Sequence, residues 1–473
     1  MIRLLKVLFC MSIVFSNTSN FSFADSPKVI VIGGGIAGLT AAYRLHQQGM
    51  DVNLYEARNR VGGRILTVEI NERMIELGGR NINDGGTATN LNRLIGEFNL
   101  EQTLSRVYLK HSYFNGTDLI PISEILSGRD LSPGPLRKKL EELASTCSNI
   151  KEILQDLFDP NDPLYKILAA RMASYEGGPI EALSPLYIET LFHMLQGGVC
   201  SVHQKSEDED AHIDLVTIAG GNARLPQKLG DVLGSKLHLN MPLTKVSKNT
   251  KNRFSLTFED KTEVEADLLI LAIPCSVYGS ISFENGIIPE KKLKAMQNIQ
   301  YGTNAKIMVP FTEVSSTTGI VSDESTCFFD CVQQMLTIYY IGASSSFSPL
   351  TIANSYMQTY PMIKQGFESC PLFTSPTYAK DEANLSYEGV VGYSWPNDPY
   401  AKGSYSYIAS SQEDILTATT EEHGEIFKTL FAPIHDNLYF VGEHTSILFD
   451  VPGTMEAACE SGERVARAIL KNI

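Results

Sequence analysis

The chain has 473 residues, of which 43% are hydrophobic and 20% are charged, a composition typical of soluble globular proteins. This length predicts two domains, or one large α/β domain with a substantial insertion. The net charge of −15 argues against nucleic acid as a partner, because nucleic-acid-binding surfaces are basic. Histidines and cysteines show no spacing typical of a zinc site, so we expect no metal.

The first residues have the three parts of an export signal. A basic start, MIRLLK, is followed by the short apolar run VLFCMSIVF and then by SFA, which offers small residues at the usual cleavage offsets. The apolar run is short for a membrane-spanning helix. We predict a signal peptide at 1–24, cleaved after Ala24, and a secreted or periplasmic protein without a stable membrane span. An uncleaved amphipathic anchor is the alternative.

A strand, a helix and a second strand follow. Residues 28–32 read KVIVI, apolar residues at helical spacing begin at Ile36, and Gly49 ends the helix before the strand DVNLYEA. Later segments resume this pattern after long stretches rich in aromatic residues, turns and amphipathic helices. We therefore predict one domain built from three separated segments and a second domain built from the stretches between them. The first comprises 28–90, 210–275 and 405–473, and the second comprises 91–209 and 276–404.

The turn between the first strand and the helix is glycine-rich. Its spacing is Gly33-x-Gly35-x-x-Gly38, in which the glycines permit a tight turn, a close approach to a pyrophosphate and close helix–strand packing. A pyrophosphate would then lie on the amides of the helix N-terminus. Glu56 ends the second strand, where it can accept hydrogen bonds from an adenosine ribose. The unit predicts a dinucleotide cofactor, and the acidic residue disfavours a 2′-phosphate.

A second glycine turn follows that glutamate. The run EARNRVGGRILTV contains Gly62, Gly63 and Arg64, and an arginine here can bond a pyrophosphate. A glycine turn with a surface arginine would also explain this tripeptide alone. In this context the run resembles the second fingerprint of glutathione-reductase-like FAD proteins, and specifically of the flavin-containing amine oxidases. The resemblance implies an α/β fold, with a Rossmann-type FAD-binding domain interleaved with an α+β substrate-binding domain.

The resemblance extends in order through nearly all of the mature chain. The runs IELGGR, LTKVSK, IQYGTNAKIMVPF, DPYAKGSYSY and YFVGEHTS each match a family segment. The run GSYSY and the threonine that begins the last helix are nearest to the polyamine oxidase and lysine demethylase branches. The positions that match the family's FAD-binding residues are Gly33, Gly35, Ile36, Ala37, Gly38, Glu56, Ala57, Arg58, Gly63, Arg64, Gly78, Gly79, Arg80, Val246 (through its backbone), Gly442, Glu443, Thr454 and Met455.

Four positions match the family's catalytic region. By this resemblance Lys306 would reach the flavin N5 through a water, Tyr405 would stand against the flavin and orient the amine, and Thr454 would lie at the N1 and C2=O edge. Monoamine oxidases have an aromatic residue in place of Thr454, so the substrate cage would have one aromatic wall. L-amino-acid oxidases of this family use an arginine near this segment to bind the substrate carboxylate, but their motif, GPMR, is one residue longer. Two roles for Arg80 therefore stay open: binding a substrate carboxylate, or making a salt bridge or a flavin contact. Ser404 stands where a cysteine would form a thioether, so we expect non-covalent FAD.

The resemblance implies an FAD-dependent amine oxidase. A primary or secondary amine, an amino acid or a polyamine-like compound, would bind deprotonated and be oxidised to an imine, with O2 reduced to H2O2. Two alternatives stay open: an FAD-dependent dehydrogenase or desaturase that uses another electron acceptor, and a non-catalytic exported flavoprotein. The expected partners are the small-molecule amine and O2, without nucleic acid, and a homodimer is left open.

Overall fold

The computed structural model describes residues 27–70, 72–82, 87–108, 111–197, 212–311, 319–330, 334–343, 347–360, 363–364, 384–385, 390–449 and 451–473. The predicted signal peptide at 1–24 lies outside these residues. Within these ranges, none of the helices combines the length and the apolar character that crossing a membrane requires. The same ranges contain no group of three or more histidine, cysteine or acidic side chains able to hold a metal ion.

The helices are short except at the C-terminus. Helix α1 ends just before Gly49, as the sequence predicts. The φ of Gly49 is 78°, in the left-handed region that favours glycine. The α-helices are α1 Ile36–Gln47, α2 Thr89–Glu97, α3 Ile122–Leu126, α4 Pro133–Ala144, α5 Ile150–Leu157, α6 Pro163–Glu176, α7 Ile188–Gln196, α8 Arg224–Leu233, α9 Glu290–Gln297, α10 Pro349–Thr359, α11 Glu413–Thr417 and α12 Met455–Asn472.

The strands alternate with these helices along the chain. They are β1 Val29–Ile32, β2 Val52–Tyr55, β3 Thr67–Ile70, β4 Arg73–Glu76, β5 Gln102–Tyr108, β6 His111–Phe114, β7 Leu119–Pro121, β8 His212–Ile218, β9 Leu237–His238, β10 Leu243–Lys248, β11 Phe254–Phe258, β12 Glu263–Ala266, β13 Leu268–Leu271, β14 Ser282–Phe283, β15 Gln300–Tyr301, β16 Ala305–Pro310, β17 Gly319–Val321, β18 Ser325–Asp330, β19 Met335–Tyr340, β20 Asn384–Leu385, β21 Val391–Ser394, β22 Ser406–Tyr407, β23 Thr419–Glu422, β24 Glu425–Lys428 and β25 Leu438–Phe440.

A parallel sheet forms the first half of the fold. Its order is β25-β13-β1-β2-β9, with every neighbouring pair parallel. Strand β1 is buried along its whole length, which explains its unbroken apolar run, because helices and strands cover both faces of such a sheet. Helix α12 packs closely on α1, where a Cβ at Gly462 would lie 2.5 Å from the carbonyl oxygen of Ala37. Three separated parts of the chain therefore build one sheet.

The other face of this sheet carries a small mixed sheet of order β12-β11-β10-β14. Residues Ile30 and Ile32 of β1 share an apolar cluster with Phe254 and Leu256 of β11. The run EVEADLLILAIP forms two strands in two different sheets, because the chain turns at Asp267, whose amide donates to the carbonyl of Lys28 at 2.9 Å. This cluster holds the small sheet against the parallel sheet.

The second half of the fold is a ten-stranded sheet with a group of helices beside it. The sheet runs β20-β21-β16-β19-β18-β17-β6-β7, with β5 and β8 joined through β18. Helices α3 to α7 form their own apolar cluster, which also reaches Val321 of β17. A parallel sheet with flanking helices, interleaved with a mixed sheet and helices, is the α/β architecture that the sequence predicts. The exact domain ranges stay a prediction.

Candidate active site

A cavity of about 1310 Å³ lies between the two halves. Typical small-molecule pockets measure about 300–1,000 Å³, so this one has room for a large cofactor and a further ligand. Helices α6 and α7 and the large sheet supply one side, and the β1–α1 turn and the start of α12 supply the other. Many of the predicted site residues line it: Gly35, Ile36, Ala37, Arg64, Gly78, Gly79, Arg80, Lys306, Tyr405, Gly442, Glu443, Thr454 and Met455.

The remaining predicted positions do not line the cavity, and several of them shape its walls. A Cβ at Gly33 would lie 2.5 Å from the carbonyl oxygen of Ala272, and one at Gly38 would lie 2.1 Å from the carbonyl oxygen of Gly33. These two glycines therefore permit the close packing of strand and helix. The positions outside the cavity lining are Gly33, Gly38, Glu56, Ala57, Arg58, Gly63 and Val246.

Gly35 is the glycine that faces the cavity. A Cβ added there would meet no atom within 4 Å, so a side chain would extend into open space that a bound group can use. Gly35 is also the N-cap of α1, where no side chain caps the helix. Uncapped amides at a helix N-terminus are suited to a phosphate. The second glycine turn touches the first, with a backbone bridge between Gly35 and Gly62. Both fingerprints thus form one cradle that fits the pyrophosphate of FAD.

Glu56 holds the first turn from the second strand. Its Oε2 accepts a hydrogen bond from the amide of Gly34 at 2.6 Å, and its Oε1 accepts one from the amide of Arg58 at 2.9 Å. The guanidinium of Arg58 pairs with Asp398 at 2.5 Å and does not reach the cavity lining. The carboxylate of Glu56 lies beside the glycine turn, where the sequence places a ribose.

Val246 lies in the interior of the small mixed sheet. It pairs with strands on both sides, and its carbonyl accepts a hydrogen bond from the amide of Glu284 at 2.9 Å. The segment just before β10 lies beside Glu56, the residue expected to bind the ribose. The amide of Met241 in this segment donates to the backbone carbonyl of Glu56 at 2.8 Å. The role of Val246 at the adenine therefore stays a prediction.

Arg64 is fixed by a buried carboxylate. Its Nη1 donates to Oε1 of Glu443 at 2.9 Å and to the carbonyl of Ser404 at 2.8 Å, while the hydroxyl of Ser406 donates to Oε2 of Glu443 at 2.6 Å. Burial alone would raise the pKa of Glu443, but the charge of Arg64 and the hydrogen bonds from Arg64 and Ser406 outweigh burial and hold the pKa below its ordinary value. The side chain of Glu443 thus anchors the arginine of the second fingerprint at the cavity wall.

Lys306 lies on β16 and lines the cavity. Its Nζ donates to the carbonyl of Gly78 at 2.5 Å, in the segment that the sequence places beside the flavin. Trp395 supports the same segment, because its Nε1 donates to the carbonyl of Leu77 at 3.2 Å. The ammonium group therefore lies between the large sheet and this segment, at the junction of the two halves of the fold.

Tyr405 is tied to the end of helix α6. Its hydroxyl donates to the carbonyls of Ser174 and Tyr175, each at 2.9 Å, and accepts from Nδ2 of Asn304 at 3.1 Å. Added Cβ atoms at Gly177 and Gly453 would lie 2.8 and 2.9 Å from ring carbons of Tyr405. The ring therefore forms a rigid part of the cavity wall, and its hydroxyl serves the fold in addition to any ligand.

Thr454 caps helix α12. Its Oγ1 accepts from the amide of Ala457 at 3.1 Å and donates to the carbonyl of Val451 at 2.8 Å. The next residue, Met455, packs against Gly79, where an added Cβ would lie 3.1 Å from its Cγ. The positive end of the α12 dipole therefore lies at the cavity, beside the segment that faces the flavin position.

Arg80 and His444 are also buried at this site. Arg80 lines the cavity, with its Cζ 5.8 Å from the ring centroid of Phe328. His444 packs against the rings of Tyr301 and Phe431, and burial lowers its pKa to about 4, so that it is neutral at pH 7. A neutral, ring-packed histidine agrees with a structural role for His444 and not with a general base.

The residues that line the other end of the cavity carry no recognisable signal in the sequence. Glu176 ends helix α6 and is 6% exposed, and its Oε1 accepts from the hydroxyl of Thr190 at 2.5 Å. No local motif marks these positions, because they come from the two intervening stretches and meet only in the folded chain. The main examples are His111, Arg171, Glu176, Asn304, Phe328 and Tyr339.

The comparisons with known proteins agree with this geometry. A family model described as flavin containing amine oxidoreductase matches residues 36–470. The chain belongs to this family. L-amino-acid oxidase from Pseudechis australis is 26% identical over 485 residues, covering 94% of this chain and 87% of the relative. Flavin-containing amine oxidase B from Sus scrofa is 25% identical over 479 residues, covering 93% and 86%.

A solved structure supports the fold of this flavin amine oxidoreductase. Cyclohexylamine oxidase from Brevibacterium oxydans has a TM-score of 0.68 at 19% identity, covering 94% of this chain and 99% of the other. The predicted family, fold class, enzyme class and FAD cofactor are therefore confirmed. Among the described residues that line the cavity there is no cysteine to form a thioether, as expected for non-covalent FAD.

Glu76 should make the stability of this amine oxidoreductase depend on pH. Burial raises the pKa of its carboxyl to about 7, although Asn222, Thr67, Lys306 and Arg80 oppose the shift. Between about pH 4.5 and about pH 7 the unfolded chain loses this proton while the native state keeps it. The free energy of unfolding should therefore fall by roughly 3 kcal/mol as the pH rises through that window.

Urea unfolding of the wild type and of Glu76→Gln tests this pH dependence. The variant keeps a neutral group of similar size, so it should lack this part of the slope between about pH 4.5 and about pH 7. Equal slopes for both proteins would show that Glu76 is ionised in the native state.

Proposed function

We propose that this protein oxidises a primary or secondary amine to an imine and passes the electrons to O2, which yields H2O2. Water then hydrolyses the imine to a carbonyl compound and releases ammonia or a smaller amine. The observation that carries the proposal is the cavity of about 1310 Å³, in which the expected FAD cradle, Lys306 and Tyr405 share one space with the buried carboxylate of Glu176. The names of the relatives, one for amino acids and one for amines, support the same substrate chemistry.

The charged groups of the cavity narrow the substrate class. Glu176 lies at the C-terminal end of α6, the negative end of the helix dipole, so a cation is favoured beside it. A substrate with a second ammonium group could bind beside this carboxylate, which lines the cavity. Arg80 offers the opposite charge and would suit a carboxylate, so a basic amino acid could use both groups. We propose a polyamine-like compound or an amino acid with a cationic end.

Each part of the site would have a defined task in this reaction. When bound, FAD supplies the acceptor for two electrons and the hydrogen from the α-carbon of the amine. The uncapped amides of α1 and the side chain of Arg64 would bind its pyrophosphate region, and the start of α12 would stabilise negative charge at its N1 edge. Tyr405 and Phe328 provide apolar walls that favour the neutral amine, because burial disfavours an ammonium group. Lys306 would hold a water at the junction.

Anaerobic mixing of the holoenzyme with monoamines, diamines, polyamines and L-amino acids tests this proposal. Loss of the flavin absorbance band should occur with at least one amine class, and addition of air should produce H2O2. Bleaching without peroxide would contradict O2 as the acceptor and favour a dehydrogenase. Absence of bleaching with every class would favour a non-catalytic flavoprotein.

Glu176→Gln should separate the substrate classes. Loss of the charge should raise the KM for diamines about tenfold or more, because a charge-assisted hydrogen bond contributes about 1.5–3 kcal/mol, while the KM for monoamines should change little. Glu189→Gln is the matched control, since Glu189 lies at the rim and pairs with Arg137 at 2.5 Å. An equal effect of Glu176→Gln on both substrate classes would exclude a contact with the distal ammonium group.

Two assignments rest on the sequence and complete the proposal. Residues 1–24 would direct export, with cleavage after Ala24. N-terminal sequencing of the mature protein tests the cleavage site. The FAD-binding domain would comprise 28–90, 210–275 and 405–473, and limited proteolysis of the holoenzyme tests whether the stretches between them are cut first.

A further inference from the structure

The carbonyl groups of residues 77–80 are each held by a side chain from elsewhere in the fold. Trp395 bonds the carbonyl of Leu77, and Lys306 bonds that of Gly78. One side chain bonds the next two: Nδ2 of Asn222 donates to the carbonyl of Gly79 at 3.1 Å and to that of Arg80 at 2.7 Å. Because peptide groups are planar, fixing successive carbonyls fixes the path of the segment. This segment lines the cavity at Gly78, Gly79 and Arg80.

Asn222 is itself held in one orientation. Its side-chain Oδ1 accepts a hydrogen bond from the backbone amide of Ile218 at 2.9 Å. Its backbone amide donates to Oε1 of Glu76 at 2.7 Å. A flipped side-chain amide would set Oδ1 against two carbonyl oxygens and Nδ2 against an N–H group, so the network permits one assignment. The residue is 1% exposed and does not line the cavity. It can therefore act on a ligand only through the segment that it holds.

The loop that carries Asn222 is packed tightly onto the β3–β4 hairpin. Gly221 has a φ of 98°, and an added Cβ there would lie 2.4 Å from Cγ2 of Thr67. The hydroxyl of Thr67 bonds the carboxyl of Glu76 and accepts from the amide of Ala223 at 3.0 Å. Loop, hairpin and segment thus form one rigid unit, and the motif AGGN in the sequence marks its centre.

We propose that Asn222 is a positioning residue for amine oxidation, which places Arg80 and the Gly78 carbonyl relative to the bound cofactor and substrate. The inference rests on the proposed function for its kinetic consequence and on the hydrogen bonds above for its geometry. Loss of the two Nδ2 bonds would let the segment relax, so that Arg80 and the acceptor of Lys306 would move. A displacement of about 1 Å at a reacting site can cost about a hundredfold in rate.

Asn222→Asp is the sharpest test, because it has the same shape but sets an oxygen against the carbonyls of Gly79 and Arg80. We expect a shifted absorption and circular dichroism spectrum of bound FAD, weaker FAD binding, and a fall in kcat/KM of about tenfold or more. Asn298→Asp is the control, since Asn298 is exposed and does not line the cavity. Asn222→Ser, which removes the same donors without adding charge, serves if the aspartate variant does not fold.

The outcomes separate this inference from the proposed function. A folded Asn222→Asp or Asn222→Ser variant with unchanged FAD spectrum, FAD affinity, kcat and KM would overturn the inference. Lower thermal stability alone, with those four quantities unchanged, would also overturn it, because it would indicate a purely structural role. If no amine reduces the wild-type flavin, the proposed function fails, while a changed FAD spectrum in the variant would still support the positioning of the segment.

Discussion

Replacing Lys306 with methionine should lower turnover about a hundredfold while FAD stays bound. Methionine is similar in length, so the packing on β16 is largely kept, but the donor to the Gly78 carbonyl is lost. Lys306 is the only lysine among the described residues that line the cavity, so no neighbouring lysine can take its place. The effect should be kinetic, because the FAD cradle at the β1–α1 turn is built from other residues.

Stopped-flow measurements should assign the loss to one half of the reaction. Anaerobic flavin reduction by amine and reoxidation of the reduced enzyme by O2 are measured separately for Lys306→Met and the wild type. Lys245→Met is the control, since Lys245 is exposed on β10. If Lys306→Met turned over as fast as the wild type, the result would contradict the assignment of Lys306 to the catalytic site.

Replacing Gly35 with valine should abolish most FAD affinity without unfolding the protein. A Cβ added at this position has no other atom within 4 Å, and the extended backbone at φ −68° and ψ 168° accepts a β-branched residue. The same side chain would enter the space that the pyrophosphate needs. Overpacking of about 2–3 kcal/mol corresponds to a roughly 30- to 150-fold higher dissociation constant for FAD.

The comparison that checks this prediction uses apoprotein prepared in the same way for each variant. Titration with FAD gives the dissociation constant, and urea unfolding of the apoprotein should change by less than about 0.5 kcal/mol. Gly96→Val is the control, because Gly96 also has open space around its Cβ position but lies on α2, outside the cavity lining. Normal FAD affinity in Gly35→Val would place the pyrophosphate elsewhere.

The cofactor half of the site could be predicted from the sequence because its chemistry is local. A turn that must approach a pyrophosphate needs glycine at Gly35, and a ribose needs an acidic residue such as Glu56 at the end of the next strand. Both requirements are visible in the sequence as particular residue types at a fixed spacing. At Val246 the expected contact with the adenine is made by the backbone, so it does not constrain the residue type. The residue type at this position therefore cannot support or contradict the prediction.

The substrate half could not be predicted in the same way. Glu176 comes from the end of α6, Asn304 directly precedes β16 and Tyr339 lies on β19, and only tertiary packing brings them to one wall. The hydroxyl of Tyr405 shows the same limit. Its position against the cavity could be expected from the resemblance, but its bonds to the carbonyls of Ser174 and Tyr175 depend on where α6 ends.

The hydrogen bonds between Tyr405 and α6 limit how the substrate range of this enzyme can be widened. A larger substrate cannot be admitted by shifting α6 outward, because the shift would pull the tyrosine away from Gly453 and disturb the start of α12. The space for new substrates must instead come from the mouth, where Leu186 and Phe449 line the cavity and are 52% and 45% exposed. Directed evolution of substrate range should therefore accumulate its tolerated mutations at that rim and leave the tyrosine wall unchanged.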